Sequence, residues 1–142
     1  MKLFVFGTLM DADVLRLILG HRLAPEQIQR ASVRGWRRAR VPGRAYPMLV
    51  PSPGGRVVGQ LLSGLSPFDR QRLDAYEGAE YLLAPLRVFM VGGRGLVVEH
   101  YRCCRSVRPG RKGWSLAQWQ RREKCGWLRQ QANSDRGTDP SP

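Results

Sequence analysis

Three carboxylates and two tyrosines crowd one short stretch, Leu73-Asp74-Ala75-Tyr76-Glu77-Gly78-Ala79-Glu80-Tyr81, and proton chemistry is most readily placed there. The stretch falls at the C-terminal end of an expected helix. A carboxylate in that position meets the negative end of the helix dipole, which raises its pKa. Half-burial beside Tyr76 and Tyr81 would carry it toward the range useful for moving protons near neutral pH. The plain alternative is a solvated acidic helix end, and within it Asp74 reads as structural and Glu80 as exposed. A second stretch, Phe6-Gly7-Thr8-Leu9, ends a strand in glycine and presents several backbone N–H groups ahead of a helix. Such a turn can hold a carboxylate or phosphate, although a glycine after a strand also serves as a simple turn. It is not a dinucleotide-binding loop, because no second and third glycine follow at the required offsets.

The elements that must position these groups can be read from the apolar pattern. Leu3 to Phe6 is a short run of β-formers stopped by Gly7, which predicts a buried first strand. A helix follows, capped by Asp11, with Val14, Leu15, Ile18 and Leu19 on one face and Gly20 at its end. From Ile28 to Val58 short apolar and arginine-bearing pieces alternate with proline and glycine. Residues 46–50 and 57–65 read there as a paired hairpin. Ser66-Pro67-Phe68-Asp69 opens a second helix to about Glu77, with Phe68, Leu73 and Tyr76 expected to face inward. Leu86 to Val91 and Leu96 to Cys103 form a hairpin joined by Gly92-Gly93-Arg94-Gly95. A basic loop, 105–113, precedes a helix from Ser115 to about Gln130 carrying Leu116, Trp119 and Trp127. Its thin apolar stripe suits loose packing on the domain or an interaction helix. The expected division is a domain over 1–104, a basic loop and C-terminal helix over 105–131, and a disordered tail over 132–142.

Composition narrows the function classes. A chain of 142 residues with 42 % hydrophobic and 25 % charged residues has material for one globular core and excludes a fibrous or coiled-coil protein. No apolar run approaches the roughly 20 residues needed to cross a bilayer, and the apolar stretch after Met1 is too short for a signal peptide, so no membrane partner and a cytoplasmic location are expected. Three cysteines, two of them adjacent, and two histidines make neither a disulfide framework nor a zinc site, so no metal is expected. The formal charge of +13 is carried almost wholly by arginine, since only Lys2, Lys112 and Lys124 are lysines. Such a balance attracts polyanions. Arg34, Trp36, Arg37, Arg38, Arg40 and Arg44 come nearest to the interleaving of arginine and aromatic residues that nucleic acid favours, though without a recognised nucleic-acid motif.

Five short motifs, in order, are similar to the γ-glutamylcyclotransferase-like superfamily, in particular its AIG2-like and γ-glutamylamine cyclotransferase members. They are Phe6-Gly7-Thr8-Leu9, Tyr46-Pro47, Gly59-Gln60-Leu61, Leu73-Asp74-Ala75-Tyr76-Glu77 and Tyr81, spread over about residues 2–103. The resemblance implies an α+β fold, a small barrel-like β-sheet with flanking helices, whose pocket lies over the glycine loop. It implies that Phe6, Gly7, Thr8 and Leu9 bind the γ-glutamyl group, that Glu77 is the catalytic acid/base and that Tyr81 walls the pocket. The implied reaction is cyclisation of a γ-glutamyl amine or γ-glutamyl peptide to 5-oxoproline with release of the amine, and it needs no cofactor. Phe6 stands where the family usually has tyrosine, and Leu82-Leu83 stand where many relatives are polar, which would make one rim apolar. Arg44, Arg56 and Arg87 are further candidates for assisting an anionic substrate. The competing reading is a non-catalytic module of the same fold that engages nucleic acid or an acidic partner through its arginine-rich surface.

Overall fold

Five strands close into a barrel. In the computed structural model, which describes residues 1–42, 46–103, 110 and 112–137, these are β1 (Leu3–Val5), β2 (Ile28–Arg40), β3 (Pro47–Leu62), β4 (Tyr81–Met90) and β5 (Gly95–Cys103), joined in the order β1-β3-β2-β4-β5. The helices are α1 (Ala12–Leu19), α2 (Pro67–Glu77), α3 (Leu116–Arg122) and α4 (Lys124–Gly137). The short β1 closes the barrel, antiparallel to β3 (Leu3 opposite Leu62) and parallel to β5 (Leu3 opposite Glu99). The fold is therefore mixed α+β with a small barrel and flanking helices.

Strand alternation divides the apolar residues between two cores. Phe4 points into the barrel with Ala31, Val33, Val57, Leu61, Leu86, Val88 and Val98. Its neighbours Leu3 and Val5 take the other face and pack with Val14, Leu15 and Leu19 of α1, Leu73 of α2 and Trp119 of α3. Helices α1 and α2 are fixed by their ends. Ser66 and Asp69 make the capping box of α2, and Gly20 closes α1 in the left-handed region at φ 79°.

Asp11 has two tasks. Its Oδ1 accepts from the backbone N–H groups of Asp13 and Val14 at 3.0 and 3.1 Å, while Oδ2 accepts from Gln120 Nε2 at 2.8 Å and pairs with Lys124 Nζ at 2.9 Å. Burial alone would raise its pKa. The hydrogen bonds from Gln120, Lys124 and Val14 outweigh that and hold the carboxyl below its ordinary value. Asp11→Ala removes a helix cap and the anchor of α3 together, so a loss of about 2 kcal/mol is expected in urea unfolding at pH 7. Because the native carboxyl is the more acidic, the wild-type advantage should fade as pH falls through its folded pKa.

Several expected features change in the folded chain. Residues 46–50 and 57–65 are not two arms of one hairpin, since residues 47–62 form the single strand β3, paired along its length with β2. The register passes from Arg34 opposite Arg56 to Trp36 opposite Pro51, so residues 52–55 bulge out opposite Gly35. Gly54 adopts φ 77° there, and Gly55 lies against the Trp36 carbonyl with no space for a side chain. Prolines and glycines that resemble a hairpin turn thus interrupt a strand whose flanks keep the same partner. Phe68 is exposed, beneath the Arg72 guanidinium. Asp69 takes the inward position instead and holds the His21 ring at 2.6 Å.

The C-terminal segment is packed on the domain. Trp119 is buried, Arg40 pairs with Glu123 at 2.8 Å, and the expected single helix breaks at Glu123 before α4 runs to Gly137. Residues 132–137, read from sequence as tail, belong to α4, whereas 138–142 and most of the basic loop 105–113 lie outside the described residues. Among the described residues no helix is long and apolar enough to cross a membrane.

Candidate active site

Beyond Val5 the chain leaves the barrel through Phe6 and Gly7 into a 3-10 turn, Thr8–Met10, and then enters α1. The Met10 N–H donates to the Gly7 carbonyl and the Asp11 N–H to the Thr8 carbonyl, both at 3.0 Å. The N–H groups of Thr8 and Leu9 open the turn and find no backbone acceptor among the described residues, as is usual for the first donors of a helix. The Phe6 carbonyl accepts from Arg38 Nε at 2.7 Å, and the same guanidinium reaches the Val58 carbonyl. That clamp fixes the peptide entering the turn. A side chain on Gly7 would come within 3.0 Å of Pro47 Cδ, so the glycine lets the loop lie against the Tyr46-Pro47 segment.

Glu77 is the last residue of α2, and Gly78, at φ 83°, turns the chain away toward β4. One turn of side chains joins helix to loop: Tyr76 Oη and Thr8 Oγ1 lie 2.8 Å apart. A cavity of about 400 Å³ opens between them, and its wall includes Phe6, Gly7, Thr8, Leu9, Glu77 and Tyr81. The six residues singled out by resemblance are therefore brought together. Tyr46, Tyr76, Tyr101 and Trp127 also belong to the wall.

Electrostatics set Glu77 apart. Desolvation pushes its carboxyl from 4.5 to about 7, and no hydrogen bond or ion pair reaches it among the described residues. The phenols move away from neutrality. Burial, aided by the neighbouring Glu77 and Tyr46 and only partly offset by the Thr8 hydrogen bond, pushes Tyr76 up to about 12. Tyr81 and Tyr101 are raised further, chiefly by burial, and the Tyr101 hydroxyl donates to Asp74 Oδ1 at 2.7 Å. Glu77 is thus the cavity side chain able to change charge near neutral pH.

Other expectations fall elsewhere. Leu82 is 65 % exposed and Leu83 packs on the core, so neither lines the cavity and the apolar rim expected from them is absent. For Leu82 the reason is the pleat of β4, which sends Tyr81 inward and Leu82 out. Arg56 and Arg87 lie outside the cavity wall, and Arg44 is outside the described residues. Asp74 has the structural partner expected of it, while Glu80 is half-buried rather than exposed. A second cavity, about 420 Å³, adjoins the first and shares Phe6, Tyr81 and Tyr101 with it. Among the described residues no group of three or more His, Cys, Asp or Glu side chains could hold a metal ion.

Among the wall residues that sequence reasoning did not place is Trp127. Its ring meets Tyr76 edge-on at 6.3 Å and Trp119 at 6.4 Å. The signal was its spacing, two helical turns beyond Trp119, which suggests a shared face without showing what that face covers.

Comparison with known proteins places this geometry in context. The family model described as gamma-glutamyl cyclotransferase, AIG2-like, matches residues 3–121. The chain is 33 % identical over 125 residues to AIG2-like protein A of Arabidopsis thaliana, covering 87 % of this chain and 74 % of that one. It is 28 % identical over 131 residues to AIG2-like protein D of the same plant, covering 90 % and 84 %. A solution structure from Arabidopsis thaliana superposes with a TM-score of 0.67 at 28 % identity, over 99 % of this chain and 94 % of that one. A structure described as a gamma-glutamyl cyclotransferase shares the fold, with a TM-score of 0.58 at 14 % identity, over 76 % and 68 %.

Proposed function

The chain belongs to the AIG2-like gamma-glutamyl cyclotransferase family, and on that premise we propose that it converts a γ-glutamyl amine or short γ-glutamyl peptide to 5-oxoproline, with Glu77 as the proton carrier. The observation that carries this reading is that the Glu77 carboxyl and the N–H-bearing turn at Gly7 to Leu9 line one cavity.

A γ-glutamyl amide contains its own nucleophile. Held curled, its α-amine nitrogen lies against the γ-carbonyl carbon, and attack within one molecule gains several kcal/mol over attack between two. Ionised Glu77 takes a proton from the α-ammonium, and the amine nitrogen bonds to the carbonyl carbon. The protonated Glu77 then returns that proton to the amide nitrogen as its bond to the carbonyl breaks. The attacking nitrogen's second proton passes to the released amine, so one neutral five-membered lactam and one ammonium result, with no water consumed. The N–H groups of Thr8 and Leu9 supply donors for the substrate carboxylate or the transient oxyanion. A Glu77 carboxyl near neutrality suits both halves of this exchange, because neither proton transfer is steeply uphill.

The pH dependence follows with a definite sign. Since ionised Glu77 starts the reaction, kcat/KM should rise about tenfold per pH unit below the Glu77 midpoint and level off above it, with the bend near the value of about 7. A rate profile flat from pH 5 to 8 would remove Glu77 from the proton transfer. The direct test incubates the protein with a panel of γ-glutamyl amines and γ-glutamyl dipeptides and measures 5-oxoproline by mass spectrometry. Product from at least one class is expected, and none from any would overturn the proposal.

A further inference from the structure

The arginines that look like a run in sequence do not share one surface. Arg38 reaches inward to the Phe6 carbonyl and Arg40 pairs with Glu123. Arg34 instead lies on the outer wall of the barrel, directly opposite Arg56 on β3. On its other side is β4, where Ser32 faces Phe89. The Arg34 guanidinium lies 4.0 Å from the centroid of the Phe89 ring and that of Arg87 lies 5.7 Å from it. Two guanidinium groups, from β2 and β4, thus meet one aromatic ring, and Arg56 of β3 stands across the ladder from the first of them. Arg30, two positions from Ser32 on β2, extends the group, and a concavity of about 380 Å³ is lined by Arg30, Ser32, Arg34, Arg56 and Phe89.

Like charges placed directly across a sheet destabilise it, and a folded chain ordinarily interleaves carboxylates to offset them. Among the described residues no carboxylate pairs with any of these four arginines. The uncompensated charge is therefore available to an anion. A row across three strands spans about 10 Å, too long for one phosphate and suited to successive ones. The ring and the guanidinium planes on it add flat faces on which unpaired bases can stack, which a duplex does not offer.

We propose that this outer wall, formed by Arg30, Arg34, Arg56 and Arg87 around Phe89, is a binding site for single-stranded nucleic acid, separate from the cavity that holds Glu77. The arginines neutralise successive phosphates, and the Phe89 platform selects the unpaired form.

The test must separate this site from the general attraction of a chain of charge +13. Fluorescence anisotropy with a labelled single strand of about 12 nucleotides, and with its duplex, is measured across a salt series. The variant Arg34→Ser/Arg56→Ser/Arg87→Ser is compared with Arg121→Ser/Arg122→Ser/Arg129→Ser, which removes the same charge from the exposed surface of α3 and α4. The first should weaken single-strand binding at least tenfold and lower the salt slope by about 2, while the second should change affinity less than about threefold. Near-UV circular dichroism reports whether each is folded. Should the triple variant fail to fold, Arg56→Ser alone, which contacts no ring, should lower the slope by about 0.7. Equal losses in the two triple variants, an unchanged slope in Arg56→Ser, or duplex binding as tight as single-strand binding would each overturn the proposal.

Discussion

Glu77→Gln is expected to lower 5-oxoproline formation at least about 100-fold, because it removes the cavity group able to carry a proton while keeping its shape. The loss corresponds to about 2.7 kcal/mol of transition-state stabilisation. The same substitution should make the folded chain more stable at pH 8. Burial raises the Glu77 carboxyl from 4.5 to about 7, so the folded state binds its proton more tightly than the unfolded state does. Stability from that proton is complete below the unfolded value and is lost as pH rises to about 7. The wild-type chain should therefore forfeit about 3 kcal/mol between pH 4 and pH 8, and the uncharged glutamine should not. Urea unfolding of both proteins at the two pH values, beside the activity assay, separates a catalytic group from a solvated acid at a helix end. A solvated acid would move neither readout. Inactivity together with higher stability at pH 8 is the joint signature of a carboxyl kept buried for its chemistry.

Gly59→Ala should cost about 3 kcal/mol or more, and the barrel shows why. Gly59 sits in β3 opposite Ala31, where β1 crosses closely. A methyl group there would press into the Val5 carbonyl oxygen and come within 2.7 Å of Phe4 Cζ. Neither neighbour can swing away, since one is backbone and the other is a ring packed inside the barrel. Relief requires β1 to shift, and the end of β1 launches the Phe6 to Leu9 loop. The melting temperature is expected to fall by about 10 °C and activity to fall with it. Gly113→Ala is the control, because a methyl group there meets nothing within 4 Å. It should change stability by less than about 0.5 kcal/mol.

Local signals were legible where one residue type has one physical use. Asp11 and Gly20 bound α1, Ser66 and Asp69 open α2, and Gly92 and Gly93 make the turn between β4 and β5, each as their chemistry requires. The bulge at residues 52–55 was not legible, because proline and glycine mark a break in the ladder without saying whether the chain reverses or continues beyond it. The cavity was legible through its loop and Glu77, which sit in short motifs. Trp127 was not, because its contact with Tyr76 joins segments far apart in the chain that only tertiary packing brings together. The arginine wall was hidden for the same reason. Its members come from β2, β3 and β4, while the run around Arg38 that looks basic in sequence is divided among three environments.

The most direct measurement is a crystal structure of the protein with 5-oxoproline bound. The product carboxylate should lie within hydrogen-bond distance of the N–H groups of Thr8 and Leu9, with the lactam nitrogen or carbonyl facing the Glu77 carboxyl and the ring bounded by Tyr76 and Trp127. A product molecule seated away from that turn, or no binding in the cavity at millimolar concentration, would contradict the account.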